Sequence, residues 1–213
     1  MSGVSGLMTL VQWLSPAFPT GGFAYSHGME QVISDGGIRS GADLEAWLAD
    51  VLRFGAGKQD AILLSAALEP GADWDALAEL CVALQPSAER LREVAEQGAA
   101  FARTVAALTG AAVVERPLPV AVGVAARGLG LEKREVVALY LHAFASNLVS
   151  AAVRFVPLGQ NDGQAALARL HPLIARLAEE AVAASVEEIG SAALGADLAA
   201  LRHEGMDVRI FKT

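Results

Sequence analysis

The one stretch resembling a phosphate loop is Gly55-Ala56-Gly57-Lys58. Such a loop needs a glycine at position 52 and a hydroxyl at position 59 to hold Mg²⁺, but those positions carry Leu52 and Gln59. A glycine break between helical segments accounts for it. Gly123 to Gly130 is glycine-rich, yet it lacks the dinucleotide-binding spacing and a strand before it. No two of His27, His142, His171 and His203 lie three to five residues apart, and His203-Glu204 does not continue into HExxH. That leaves only a metal site assembled from distant residues, and His142, in an apolar run, reads as a core histidine. Cys81, the only cysteine, sits between Leu80 and Val82 in the setting of a buried structural thiol. No nucleophile elbow is present, and Asp73 and Asp75, flanking Trp74, read as helix caps. The chain is therefore expected to be non-catalytic, with no metal site and no cofactor of its own.

Three blocks remain that are distinctive without being catalytic. The first runs from Leu14 to Glu30 and reads Leu-Ser-Pro-Ala-Phe-Pro-Thr-Gly-Gly-Phe-Ala-Tyr-Ser-His-Gly-Met-Glu. Its prolines fix φ and its glycines permit close approach, as in a rigid helix-loop-helix corner. The second is Val153 to Gln164, containing Arg154, Pro157, Gly159 and Gln160. The third is Arg202 to Thr213. A polar tail of this kind is expected to be partly disordered, but Ile210-Phe211 within it suggests docking onto something.

The elements that must position these blocks read as helix after helix. Ser40 and Asp43 offer N-cap chemistry for a helix through Phe54, and Asp60 to Leu68 continues after the glycines. Further helices are predicted over 7–14, from 26 to Gly36-Gly37, over 74–84, after Pro86-Ser87, over 119–127, over 132–155 and over 164–189. Pro172 is expected to kink the last of these. Ala111 to Val114 is the best strand-like fragment. Beyond Ala193 no clear period is visible. The expectation is one all-α domain spanning residues 1–213, with about eight to ten helices, in which residues 196–213 form a partner-binding tail.

Charge and hydropathy set the class of partner. The balance of 16 Lys+Arg against 24 Asp+Glu gives −8, which repels phosphate backbones and argues against nucleic acid. A mean hydropathy of +0.41 suggests apolar surface that wants a protein partner. The uncharged run 136–153 reaches the lower edge of a spanning length, roughly 18 residues. It carries His142, Ser146 and Ser150 on one helical face, so a buried helix is expected and not a membrane span. The lone cysteine and the absence of any basic residue before Arg39 point to a cytoplasmic protein.

Taken in order, the three blocks resemble the UreF family of urease accessory proteins. The first matches the family pattern S-P-A-x-P-x-G-G-F-x-Y-S-x-G-x-E. The second is similar to its basic-apolar-x-P-x-G-Q segment. The third is similar to R-H-E-x-x-x-x-R-L-F-R-S, with Ile210, Lys212 and Thr213 as mild departures. The stretch from about Glu69 to Glu115 carries no motif. The resemblance implies an all-α homodimer that binds UreD (UreH in some organisms), recruits the GTPase UreG, and helps pass nickel to apo-urease. Nickel and GTP would be handled by the partners. On this resemblance Arg202, His203, Glu204, Arg209, Ile210, Phe211 and Lys212 belong to a tail that folds on UreD/UreH. The alternative for Phe211 is to cover the protein's own core. Arg154 would touch UreG or time its GTP hydrolysis, or else form an internal salt bridge. Gln160 and Gln164 would be polar interface residues. Tyr25 and Glu30 would shape a corner that lines a partner surface. Two other classes remain compatible with the composition: a helical adaptor unrelated to urease, and an all-α enzyme with a dispersed site near His142 or His171.

Overall fold

α-Helical segments at Ser40, Asp73 and Ser87 start where a side chain accepts a free N–H group of the first turn. A computed structural model describes residues 3–213, and ten α-helices and no strand occur among them. α1 spans Gly3–Trp13, α2 Met29–Ser34, α3 Gly41–Phe54, α4 Ala56–Ala67 and α5 Trp74–Ala83. They are followed by α6 (Ala88–Thr109), α7 (Leu118–Ala126), α8 (Lys133–Phe155), α9 (Gln160–Ala183) and α10 (Leu194–His203). Ser40 Oγ caps α3 by accepting the Asp43 N–H at 3.2 Å, and Ser87 Oγ caps α6 through the Arg90 N–H at 3.1 Å. Glu132 opens α8 with a capping box, its own N–H donating to Glu135 Oε2 at 2.9 Å.

Packing follows the apolar stripes these starts set in register. α3 buries Leu44, Leu48, Val51 and Leu52, spaced as one helical face. That face meets α4 and α9, and α9 lies along α8. Leu48, Ile62, Leu141, Leu148, Ile174 and Phe101 share one core. A smaller cluster joins Leu63, Leu77, Cys81, Val94 and Val120 under α5 and α7. Burial pushes the Cys81 thiol up, as suits an inert thiol. α8 is the one helix among the described residues long and apolar enough to cross a membrane, but half of it is buried inside the fold. It serves as the core's central rod.

Three expectations about local structure change. Ala111 to Val114 forms no strand and lies exposed, because no neighbouring edge is available to pair with it. The helix expected over 164–189 starts earlier, at Gln160, and stops at Ala183, with a short 3-10 turn over Val186–Glu188. Pro172 sits inside it, and buried Leu170, Leu173, Ile174 and Leu177 hold the helix on both sides. The tail is also not loose. α10 is regular to His203, and Phe211 and Thr213 are buried, because polar contacts, invisible to periodicity, hold the segment.

Candidate functional site

The tail's anchorage begins at the corner before α2. His27 takes a positive φ of 61° and Gly28 one of 74°. A Cβ on Gly28 would lie 2.7 Å from the Ala200 nitrogen, so only glycine lets α10 rest on this corner. That contact delivers His203, the last residue of α10, into the interior. Its Nδ1 lies 2.6 Å from Glu89 Oε2 and its Nε2 3.2 Å from Glu30 Oε2, with the ring fully buried. Each ring nitrogen thus faces a carboxylate from a different helix, Glu89 of α6 and Glu30 of α2. Glu30 also accepts the main-chain N–H groups of Ile210 at 2.8 Å and Phe211 at 2.9 Å. Arg209 pairs with Glu89, and Glu204 accepts the Glu89 N–H at 3.1 Å, at the positive end of α6.

The last residues continue along the same seam. The Ser26 N–H donates to the Thr213 main-chain oxygen at 2.9 Å, and Thr213 Oγ1 donates to Glu93 Oε2 at 2.8 Å. Burial pushes the Glu93 carboxyl up, but the Arg90 guanidinium beside it, helped by His27, overcomes this and holds it at about 2. The Lys212 N–H donates to the Ala24 carbonyl at 2.8 Å, and its ammonium donates to Glu96 at 3.0 Å. Tyr25 donates to the same Glu96 oxygen. Burial, and then the Glu96 carboxylate, raise the Tyr25 phenol above its usual range.

Arg154 closes the other side. Its Nη2 donates to the Phe23 carbonyl at 2.8 Å and its Nε to the Ser150 carbonyl at 3.1 Å. The guanidinium lies 5.0 Å from the centroid of the Phe211 ring, and Phe155 meets that ring edge-on at 6.3 Å. Among the described residues Arg154 makes no ion pair, so the internal salt bridge entertained from the sequence is replaced by carbonyl and ring contacts. Phe211, in turn, covers the protein's own core.

The sequence-predicted residues thus divide. Tyr25, Glu30, His203 and Phe211 are buried; Arg154, Arg202, Glu204, Arg209, Ile210 and Lys212 are exposed around them. Gln160 and Gln164 are exposed on the first two turns of α9 and take no part in the seam. What the sequence did not reveal is the other wall. Glu89, Arg90, Glu93 and Gln97 of α6 are buried charged or polar groups from the stretch without a motif. The signal that existed was their spacing, which puts charge on a single helical face.

Behind this seam lies a cavity of about 100 Å³, lined in part by Asp60, Arg90, Glu93, Gln97, Tyr140 and Asn147. Burial lifts the Asp60 carboxyl to about 6 against the opposing Tyr140 hydroxyl, which donates to it at 2.7 Å. No group of three or more metal-ligating side chains occurs among the described residues.

Fold and seam together define a single-domain, all-helical protein whose C-terminal segment is latched against its N-terminal corner. The class can be made specific: the family model described as UreF matches residues 38–171, and the chain belongs to that family. It is similar to the urease accessory protein UreF of Cereibacter sphaeroides, with 66% identity over 209 residues, covering 98% of this chain and 99% of the relative. The proteins of the same name from Jannaschia sp. and Roseobacter denitrificans are 52% and 45% identical. Those alignments cover 98% and 97% of this chain and 94% and 93% of the relatives.

Proposed function

We propose that this chain is a non-catalytic urease maturation factor that works as a scaffold, bridging UreD/UreH to the GTPase UreG. In this reading GTP hydrolysis on UreG is coupled to delivery of nickel into apo-urease, and the scaffold acts as a cytoplasmic homodimer. Nickel is cargo, and both nickel and GTP are handled by the partners. The observation that carries the reading is the match along nearly the whole chain to proteins named as urease accessory proteins.

The arrangement of the tail supports a docking role. Its buried side chains hold the segment in place, while Val208 at 80% exposure and Ile210 at 69% stand outward beside Arg209 and Lys212. Leu194, Leu198 and Leu201 extend the same exposed apolar character along α10. Arg154, fixed by the Phe23 carbonyl, is placed to report on whether the tail is seated, which fits a role in timing a partner's GTP hydrolysis. Co-purification of the chain with the cognate UreD/UreH and UreG, followed by light scattering, tests the scaffold directly. A stable assembly containing both partners is expected. A chain that elutes free of both overturns the reading.

A further inference from the structure

His142 of α8 and His171 of α9 have ring centroids 5.3 Å apart, their planes inclined by 45°. The two residues sit at the same level of the hairpin that α8 and α9 form around the Val156–Gly159 corner. His142 is half-buried and His171 exposed, and no protein hydrogen bond engages either ring among the described residues. Neither belongs to the tail seam, and neither is used by the proposed scaffold function.

From this pairing we infer that His142 and His171 form a two-imidazole binding site for a divalent transition ion of the nickel, copper or zinc class. Metal–nitrogen bonds of about 2.0–2.1 Å at a tetrahedral angle place two ligating imidazole centroids roughly 5 Å apart, close to the observed separation. The rings are tilted and not stacked in parallel. The rings are held on packed helices: Leu141, the neighbour of His142, and Leu170, the neighbour of His171, are core residues. Imidazole nitrogen suits these borderline ions and not magnesium or calcium. The spacing argument from the sequence excluded ligands close in the chain; the hairpin brings together two that are distant. The site is one that the proposed division of labour among partners does not require, and no partner is needed to test it.

The test uses the full chain alone. Copper(II) is added and examined by electron paramagnetic resonance, with zinc titration by calorimetry at pH 7.5. One ion per chain with two equatorial nitrogens is expected. His171→Ala, at an exposed position, should remove one nitrogen and weaken binding by on the order of tenfold or more. His142→Gln should do the same. Unchanged binding in both variants, a single-nitrogen signal in the parent chain, or no binding at all would overturn the assignment.

Discussion

Glu30 and His203 are separated by 173 residues in the chain and meet at 3.2 Å, with both side chains almost completely buried. Glu30 does more than pair with the ring, because the Ile210 and Phe211 N–H groups also end on its carboxylate. One acceptor therefore fixes α10 and the tail that follows it. Removing a partner from such a buried arrangement strands the others without solvent to replace it.

Glu30→Ala is accordingly expected to cost about 3–5 kcal/mol. Amide exchange should show the loss first in residues 204–213, ahead of α3 and α8. Uniform destabilisation with the tail still protected would contradict the latch.

Phe211→Ala removes the ring that Arg154 and Phe155 hold. A cost of about 3 kcal/mol is expected, at the lower end for a buried phenylalanine because the neighbouring tail can collapse onto the gap. Limited proteolysis should then cut within 204–213 at a rate where the parent chain resists.

Asp60 predicts a pH effect of defined sign. Its folded-state pKa of about 6 lies above the ordinary 3.8, so its contribution to stability is full below 3.8 and lost as pH rises through 6. Asp60→Asn keeps an acceptor for Tyr140 and removes the titration. Thermal unfolding at pH 7.5 should show stabilisation of about 3 kcal/mol, shrinking toward nothing at low pH. Glu93 acts in the opposite direction: held at about 2 by Arg90, it contributes above 4.5 and is lost as pH falls toward 2. Acid unfolding of the parent chain should be eased by Glu93→Gln.

Gly98 lies on α6 where the chain between Arg116 and Leu118 crosses it. A Cβ there would come within 2.0 Å of the Arg116 carbonyl oxygen. Helix propensity alone would favour alanine by about 1 kcal/mol. Gly98→Ala should nonetheless destabilise, by about 2 kcal/mol or more, because backbone and not a flexible side chain is in the way. A melting temperature that rises would show that the crossing segment yields.

Much of this molecule was legible in its sequence, for identifiable reasons. Ser40, Asp73, Ser87 and Glu132 announced helix starts because capping is local chemistry. The three distinctive blocks were visible as well, and the fold draws parts of all three together at Phe211, Arg154 and Glu30. The opposite wall stayed hidden. Glu89 and Glu93 look like ordinary solvent-facing charges of an amphipathic helix, and only tertiary packing turns them inward against His203, Arg209 and Thr213. The order of the tail was illegible for the same reason, since its partners lie more than a hundred residues away.

In the proposed scaffold the tail is a seated docking element, with an inner face that holds it and an outer face offered to UreD/UreH. Ile210→Asp, on the exposed face, separates the two roles where truncation would disturb both. The decisive measurement is light scattering of this variant mixed with UreD/UreH and UreG, alongside its thermal melt. An unchanged melt and a lost or strongly weakened complex are expected. A full-strength complex with the Ile210→Asp variant would contradict the docking role of the tail.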